Sequence, residues 1–144
     1  MLIDPSSIPQ VEVASMNRIH NEEAELFNEL DRLLDAYSRD EIPAERIDHE
    51  LDTFLQHMQA HFRAEETQMQ AIRFPPYPVH KGEHDKVLAV AEQRIQAWKE
   101  TRDTEALSTF IRSDLPAWLT QHIDTMDRVT AHFFAMAGKE VEMG

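Results

Sequence analysis

Apolar residues recur at steps of three and four along nearly the whole chain, and the rhythm is broken at few places. That spacing is the period of an amphipathic helix. A first helix is expected over about 16–37, carrying Met16, Ile19, Phe27, Leu30, Leu33, Leu34 and Tyr37. Pro43 fits the first turn of a second, which runs through Ile47, Leu51, Phe54, Leu55, Met58, Phe62 and Met69 to about Ile72. The run Phe74-Pro75-Pro76-Tyr77-Pro78 cannot be helix interior and reads as a connection. A third helix carries Val87, Leu88, Val90, Ile95 and Trp98, and 101–103 is the next break. A fourth is expected over about 104–137, with Leu107, Phe110, Ile111, Leu115, Leu119, Ile123, Met126, Val129 and Phe133, stopped by Gly138. Pro116 falls inside this pattern and either kinks the helix or divides it. Short connections make neighbouring helices antiparallel. The expected fold is all-α, an up-down-up-down antiparallel four-helix bundle. Residues 1–144 form one domain, with 1–15 as an extended lead-in segment and about 16–137 as the bundle.

Composition narrows what such a bundle can do. There is no cysteine, which removes disulfides, zinc–thiolate sites, iron–sulfur clusters and a thiol nucleophile. Lys+Arg 14 against Asp+Glu 27 gives a net charge of −13, which repels nucleic-acid phosphates and anionic membranes. No apolar run approaches the roughly 20 residues needed to span a bilayer, and 1–10 lacks the basic and apolar regions of a secretory signal. A cytoplasmic, stand-alone protein is expected, and the acidic surface suits a monomer. The unusual abundance is histidine, at 8, so metal-binding capacity lies in His, Asp and Glu.

The histidines and acids fall at helical spacing. His61 and Glu65 are one turn apart on the second helix, His80 and His84 one turn apart on the third. His20 stands on the first helix, and His122 and Asp127 stand on the fourth. Five imidazoles and two carboxylates are too many for one ordinary ion and suit two ions that share bridging carboxylates. On ligand type the set favours iron, with manganese, copper or zinc open. The five-residue step from His122 to Asp127 turns about 140° around an ideal helix, so both cannot face one cluster. A π-type turn between them is expected, because it reduces that angle.

The order His20, then His61-Phe62-x-x-Glu65-Glu66, then His80-Lys81-x-x-His84, then Trp118-Leu119-x-x-His122-Ile123-x-x-x-Asp127 resembles the hemerythrins, the bacterial ones especially. The resemblance covers about 16–137. It implies a non-haem, oxygen-bridged di-iron centre that binds O2 reversibly, as carrier, store or sensor. Carried over, His80, His84 and His122 correspond to the ligands of a saturated iron. His20 and His61 correspond to those of an iron with one open position, and Glu65 and Asp127 to the bridges. Phe62, Trp118, Leu119 and Ile123 match the apolar O2 pocket. The lead-in to the first ligand, Met16-Asn17-Arg18-Ile19-His20, departs from the common bacterial Asp-x-Gln-His form without removing a ligand.

Other chemistry-bearing residues have plainer readings. His49, His57 and His132 are expected to be hydrogen-bonded core or surface residues; His57, one turn before His61, stands beside the cluster rather than in it. Glu66 is rotated about 100° from Glu65 and falls outside the ligand set. Glu22 and Glu23 read as solvated charges, and Met58, Met69 and Met126 as core filler. The competing function is a di-iron oxidase, peroxidase or ferroxidase. Ferritin-like enzymes of that kind use Glu-x-x-His pairs, and this sequence has none. Nitric oxide or another small ligand is a further candidate for an open metal position.

Overall fold

The computed structural model describes residues 2–143. A short 3-10 turn, Pro5–Ser7, is capped by Asp4, whose carboxylate accepts from the Ser6 N–H. Three long helices follow: α1 Ala14–Ser38, α2 Ala44–Ala71 and α3 Tyr77–Thr101. The fourth rod is assembled end to end from α4 Thr104–Thr109, a π segment Phe110–Asp114, α5 Leu115–His122, a second π segment Ile123–Asp127 and α6 Arg128–Met136. Among the described residues there is no strand. The arrangement is the all-α four-helix bundle that the apolar period predicts.

The boundaries have local causes. Pro43 precedes α2 as its extended N-cap, where its missing N–H costs nothing. Tyr77 and Pro78 are not connection but the first turn of α3, so the proline-rich break is shorter than the sequence suggests. Arg102 ends α3 in the left-handed region at φ 56°, and Asp103 caps the next helix by accepting from the Ala106 N–H. Gly138 closes the rod at φ +66°, and the Lys139 N–H reaches back to the Phe134 carbonyl at 2.9 Å.

Both irregularities of the fourth rod are π turns. The Leu115 N–H bonds to the Phe110 carbonyl and the Arg128 N–H to the Ile123 carbonyl, each five residues back. The first sits just before Pro116, which neither divides nor ends the rod; the widened turn absorbs the residue that has no N–H to give. The second lies between His122 and Asp127, as the five-residue step requires. It also shifts the phase of everything after it. Val129 and Phe133, expected inside, are exposed at 47% and 36%, and Thr130, Ala131 and Phe134 are buried instead. Val90, likewise expected inside, lies on the outer face of α3.

Two apolar clusters stack along the bundle. The larger holds Phe27, Leu30, Leu34, Leu51, Phe54, Trp98, Phe110 and Leu115 among others. The smaller, at the opposite end, gathers Val13, Met16, Ile19, Met69, Phe74, Ala131, Phe134 and Val141. Val141 arrives there because the chain folds back after Gly138; its N–H donates to the Ser15 hydroxyl, which in turn donates to Glu140. In α1, α2 and the fourth rod the chemistry-bearing residues lie around the boundary of the two clusters, with Phe62 and Ile123 of the larger one interleaved among them.

Candidate metal centre

The polar belt is built by helical spacing and one π turn. In α1, His20 follows Ile19 on the inward face; in α2, His61 and Glu65 lie one turn apart; in α3, His80 and His84 do the same. The second π turn carries Asp127 to the same side as His122. All seven residues are buried.

They form two groups that share a member. Single ligand atoms of Glu65, His80, His84, His122 and Asp127 lie within 4.8 Å of one another, as do those of His20, His61 and Glu65. The carboxylates divide their oxygens between the groups. Glu65 turns Oε2 to His61 Nε2 at 2.5 Å and Oε1 to His84 Nε2 at 3.3 Å. Asp127 turns Oδ2 to His20 Nε2 at 3.1 Å and Oδ1 to the Nε2 atoms of His80 and His122, both at 3.1 Å.

The nitrogens converge in a way that hydrogen bonding among themselves does not satisfy. His80 Nε2 and His84 Nε2 approach His122 Nε2 at 3.1 and 3.2 Å. A ring N–H on His122 can serve one of these contacts but not both, and a proton or a metal ion shared at their meeting point relieves the lone pairs that remain. Both His20 nitrogens, Glu65 Oε1 and both Asp127 oxygens are buried without a hydrogen-bond partner. Unpartnered polar atoms of this kind are rare in a folded interior. On their outer sides three rings are held by acceptors: His61 Nδ1 by Glu23 at 2.5 Å, His84 Nδ1 by Glu66 at 2.9 Å and His80 Nδ1 by the Thr130 hydroxyl at 2.8 Å. An imidazole that donates from Nδ1 presents its Nε2 lone pair inward, the arrangement of a metal-ligating histidine.

Without an ion, protons carry the positive charge. Burial alone lowers the His84 pKa, but its contacts with Glu65 and Glu66 push it up to about 9, and His61 rises for the parallel reason beside Glu23 and Glu65. Burial raises a carboxylate, yet the surrounding imidazoles pull Glu65 and Asp127 far down. A cation entering the belt displaces those protons and takes over the neutralisation.

The remaining residues sort themselves around the belt. Phe62 stacks on His84 with ring centroids 3.9 Å apart, and Trp118 stacks on His122 at 4.5 Å. Leu119 and Ile123 are buried on the fourth rod beside them. His57 belongs to neither ligand group and bonds Glu22 at 3.1 Å through Nε2. His49 and His132 are exposed, the latter paired with Glu12. Glu66 stands outside the ligand groups but holds His84. Glu23 overturns its expected role as a solvated charge: it is 1% exposed and grips His61. The signal was present in the sequence, because Glu23 follows His20 by three residues on the face that carries Met16, Ala24 and Phe27.

The family model described as a hemerythrin HHE cation binding domain matches residues 11–133. The chain belongs to the hemerythrin family. It is 30% identical over 131 residues to a bacteriohemerythrin of Aquifex aeolicus, covering 91% of this chain and 96% of that protein. It is 36% identical over 91 residues to a bacteriohemerythrin of Ralstonia nicotianae, covering 62% of this chain and 64% of that one. No solved structure matches the chain. Among the described residues, no helix of this hemerythrin-family chain is long and apolar enough to cross a membrane.

Proposed function

We propose that the protein binds O2 reversibly, as carrier, store or sensor, at a non-haem di-iron centre with an oxygen bridge. The observation that carries the reading is the division of the Glu65 and Asp127 oxygens between two nitrogen sets, one of two histidines and one of three. A single-ion site leaves that division without purpose. The residues fit the group: the unpartnered buried atoms of His20, Glu65 and Asp127 are ligand atoms for iron by chemistry, and each of the two His/carboxylate groups could hold an ion.

In this reading His80, His84 and His122 hold one iron, His20 and His61 hold the other, and Glu65 and Asp127 reach both. With three histidines against two, the resemblance to hemerythrins would put the open position for a small ligand on the side of His20 and His61. When bound, the iron pair supplies the two electrons that O2 capture borrows and release returns. The chain's own task is to keep that exchange reversible. Phe62, Trp118, Leu119 and Ile123 form the apolar wall that limits water at the site, and water exclusion restrains the side reactions that make oxidation permanent. The outer acceptors Glu23, Glu66 and Thr130 hold the rings in orientation. The absence of any Glu-x-x-His pair supports binding over ferritin-like oxidase or peroxidase turnover.

The test is anaerobic reconstitution with ferrous iron. Two irons per chain and a visible absorption band that appears with O2 and disappears on its removal are expected. Irreversible oxidation, or turnover when a reductant is supplied, moves the assignment to an oxidase or peroxidase. One iron or none refutes the paired site. His61→Ala is expected to abolish reversible O2 binding, and unchanged binding refutes its place as a ligand.

A further inference from the structure

Glu23 has no part in the ligand set, and its surroundings are unusual. It is a carboxylate from α1 whose side chain is 2% exposed, and among the described residues it pairs with histidines and with no arginine or lysine. Its Oε1 accepts from His61 Nδ1 at 2.5 Å and lies 3.7 Å from His57 Nδ1. Its Oε2 is buried and has no hydrogen-bond partner at all. A buried carboxylate with one unmet oxygen concentrates its charge on the bond it does make. That bond runs to one of the two histidines of the smaller nitrogen set.

The other rings are treated differently. His80 leans on a neutral hydroxyl, and both nitrogens of His20 are without a hydrogen bond. His84 also has a carboxylate, but the Glu66 side chain is 17% exposed and water shares its charge. The sealed carboxylate–imidazole pair is therefore on the two-histidine side.

We propose that Glu23 is a positioning residue for His61 that makes the two metal positions chemically unequal: it fixes the ring with Nε2 inward and strengthens that nitrogen as a donor. A stronger donor binds the more highly charged ion preferentially. Iron held by His20 and His61 is then the harder of the two to reduce, and the readier to stay ferric. The residue thus sets the balance between reversible O2 binding and one-way oxidation. The inference rests on the two-metal reading above.

The experiment compares wild type, Glu23→Gln and Glu23→Leu. Glutamine keeps an acceptor for His61 Nδ1 and removes the charge; leucine removes both. Each is reconstituted with ferrous iron, and iron per chain, iron affinity by competition with a chelator, and the reduction potential of each iron are measured. The ion-free proteins are melted alongside. Glu23→Gln is expected to keep two irons and raise the potential of one of them, with the other unmoved. Glu23→Leu is expected to weaken one iron by about 10- to 100-fold, the usual cost of losing a support of this kind. Its ion-free protein should melt lower than that of Glu23→Gln, because removing one partner of a buried pair leaves the His61 ring N–H without an acceptor. Unchanged potentials in Glu23→Gln overturn the proposal while leaving the paired site intact. Fewer than two irons in the wild type overturn both. If a variant does not fold, wild type loaded with cobalt(II) decides. The His61 ring N–H proton is then shifted by the metal, and exchange with water slower than for the ring protons of the other ligands supports the sealed bond. Exchange as fast as theirs refutes it.

Discussion

The large apolar cluster and the polar belt are built on the same helices, with the same period, yet they contribute to the protein in opposite ways. The cluster around Phe27, Phe54 and Trp98 buries hydrocarbon, and each side chain there favours folding by about 1.5–3 kcal/mol. The belt buries imidazoles and carboxylates, whose desolvation opposes folding unless charge is shared among them. One region holds the helices in register; the other uses that register to bring ligand atoms together. The lesson is that the site owes its convergence to the apolar region that sustains the register.

The largest effect should come from the sustaining side. Phe54→Ala removes a ring that meets Phe27 edge-on at 4.8 Å in the core, and is expected to cost about 3–5 kcal/mol in denaturant unfolding. Iron per folded chain should stay at two; loss of iron before loss of fold breaks the contrast between the regions. Next is Glu65→Ala, which takes one oxygen from each nitrogen set. Iron should fall below one per chain, and the ion-free protein should lose the charge sharing of Glu65 with His61 and His84, melting lower by less than Phe54→Ala does. A larger loss than that of Phe54→Ala would reverse the ranking of the two regions.

A smaller effect is the pH dependence of the ion-free protein. Histidines whose pKa rises on folding contribute stability that is complete below the unfolded value of about 6.5. For His84 it is lost as pH climbs through about 9. The lowered Glu23, Glu65 and Asp127 contribute above about 4.5, and lose that contribution as pH falls through their folded values. Stability should therefore be highest between about pH 4.5 and 6.5 and decline toward 9. The iron-loaded protein should behave in the opposite sense on the alkaline side, since metal competes with protons for the same nitrogens. A flat ion-free profile from 6.5 to 9 would place those protons elsewhere. The smallest effect belongs to His57→Ala, which should leave two irons and cost about 1 kcal/mol for its contacts with Glu22 and Glu23. Loss of an iron would promote His57 to the ligand set.

Much of this arrangement was legible in the sequence. The apolar period gave four helices, and the i,i+4 pairs His61–Glu65 and His80–His84 marked their inward faces. The His122–Asp127 step was informative because it violated the period, and the π turn reconciles it. The same turn explains what was misread. A periodic extrapolation through residue 127 keeps Val129 and Phe133 inside, whereas one extra residue per turn rotates them out and brings Thr130 in, where its hydroxyl meets His80. Glu23 was missed for a different reason. Acidic side chains are seldom buried without a cation, so residue type outweighed a position that already lay on the core face. Its partner, His61, sits 38 residues away and is not visible from local spacing.

The fourth rod has a consequence for the order in which the protein is made. Translation delivers α1 and α2 first, and those two helices alone contain His20, His61 and Glu65. The five-membered group waits for α3 and then for His122 and Asp127, which leave the ribosome after every other ligand. A nascent chain thus offers one incomplete cation grouping before the second exists, and the last rod, with its added residue of winding, brings the second carboxylate that reaches both.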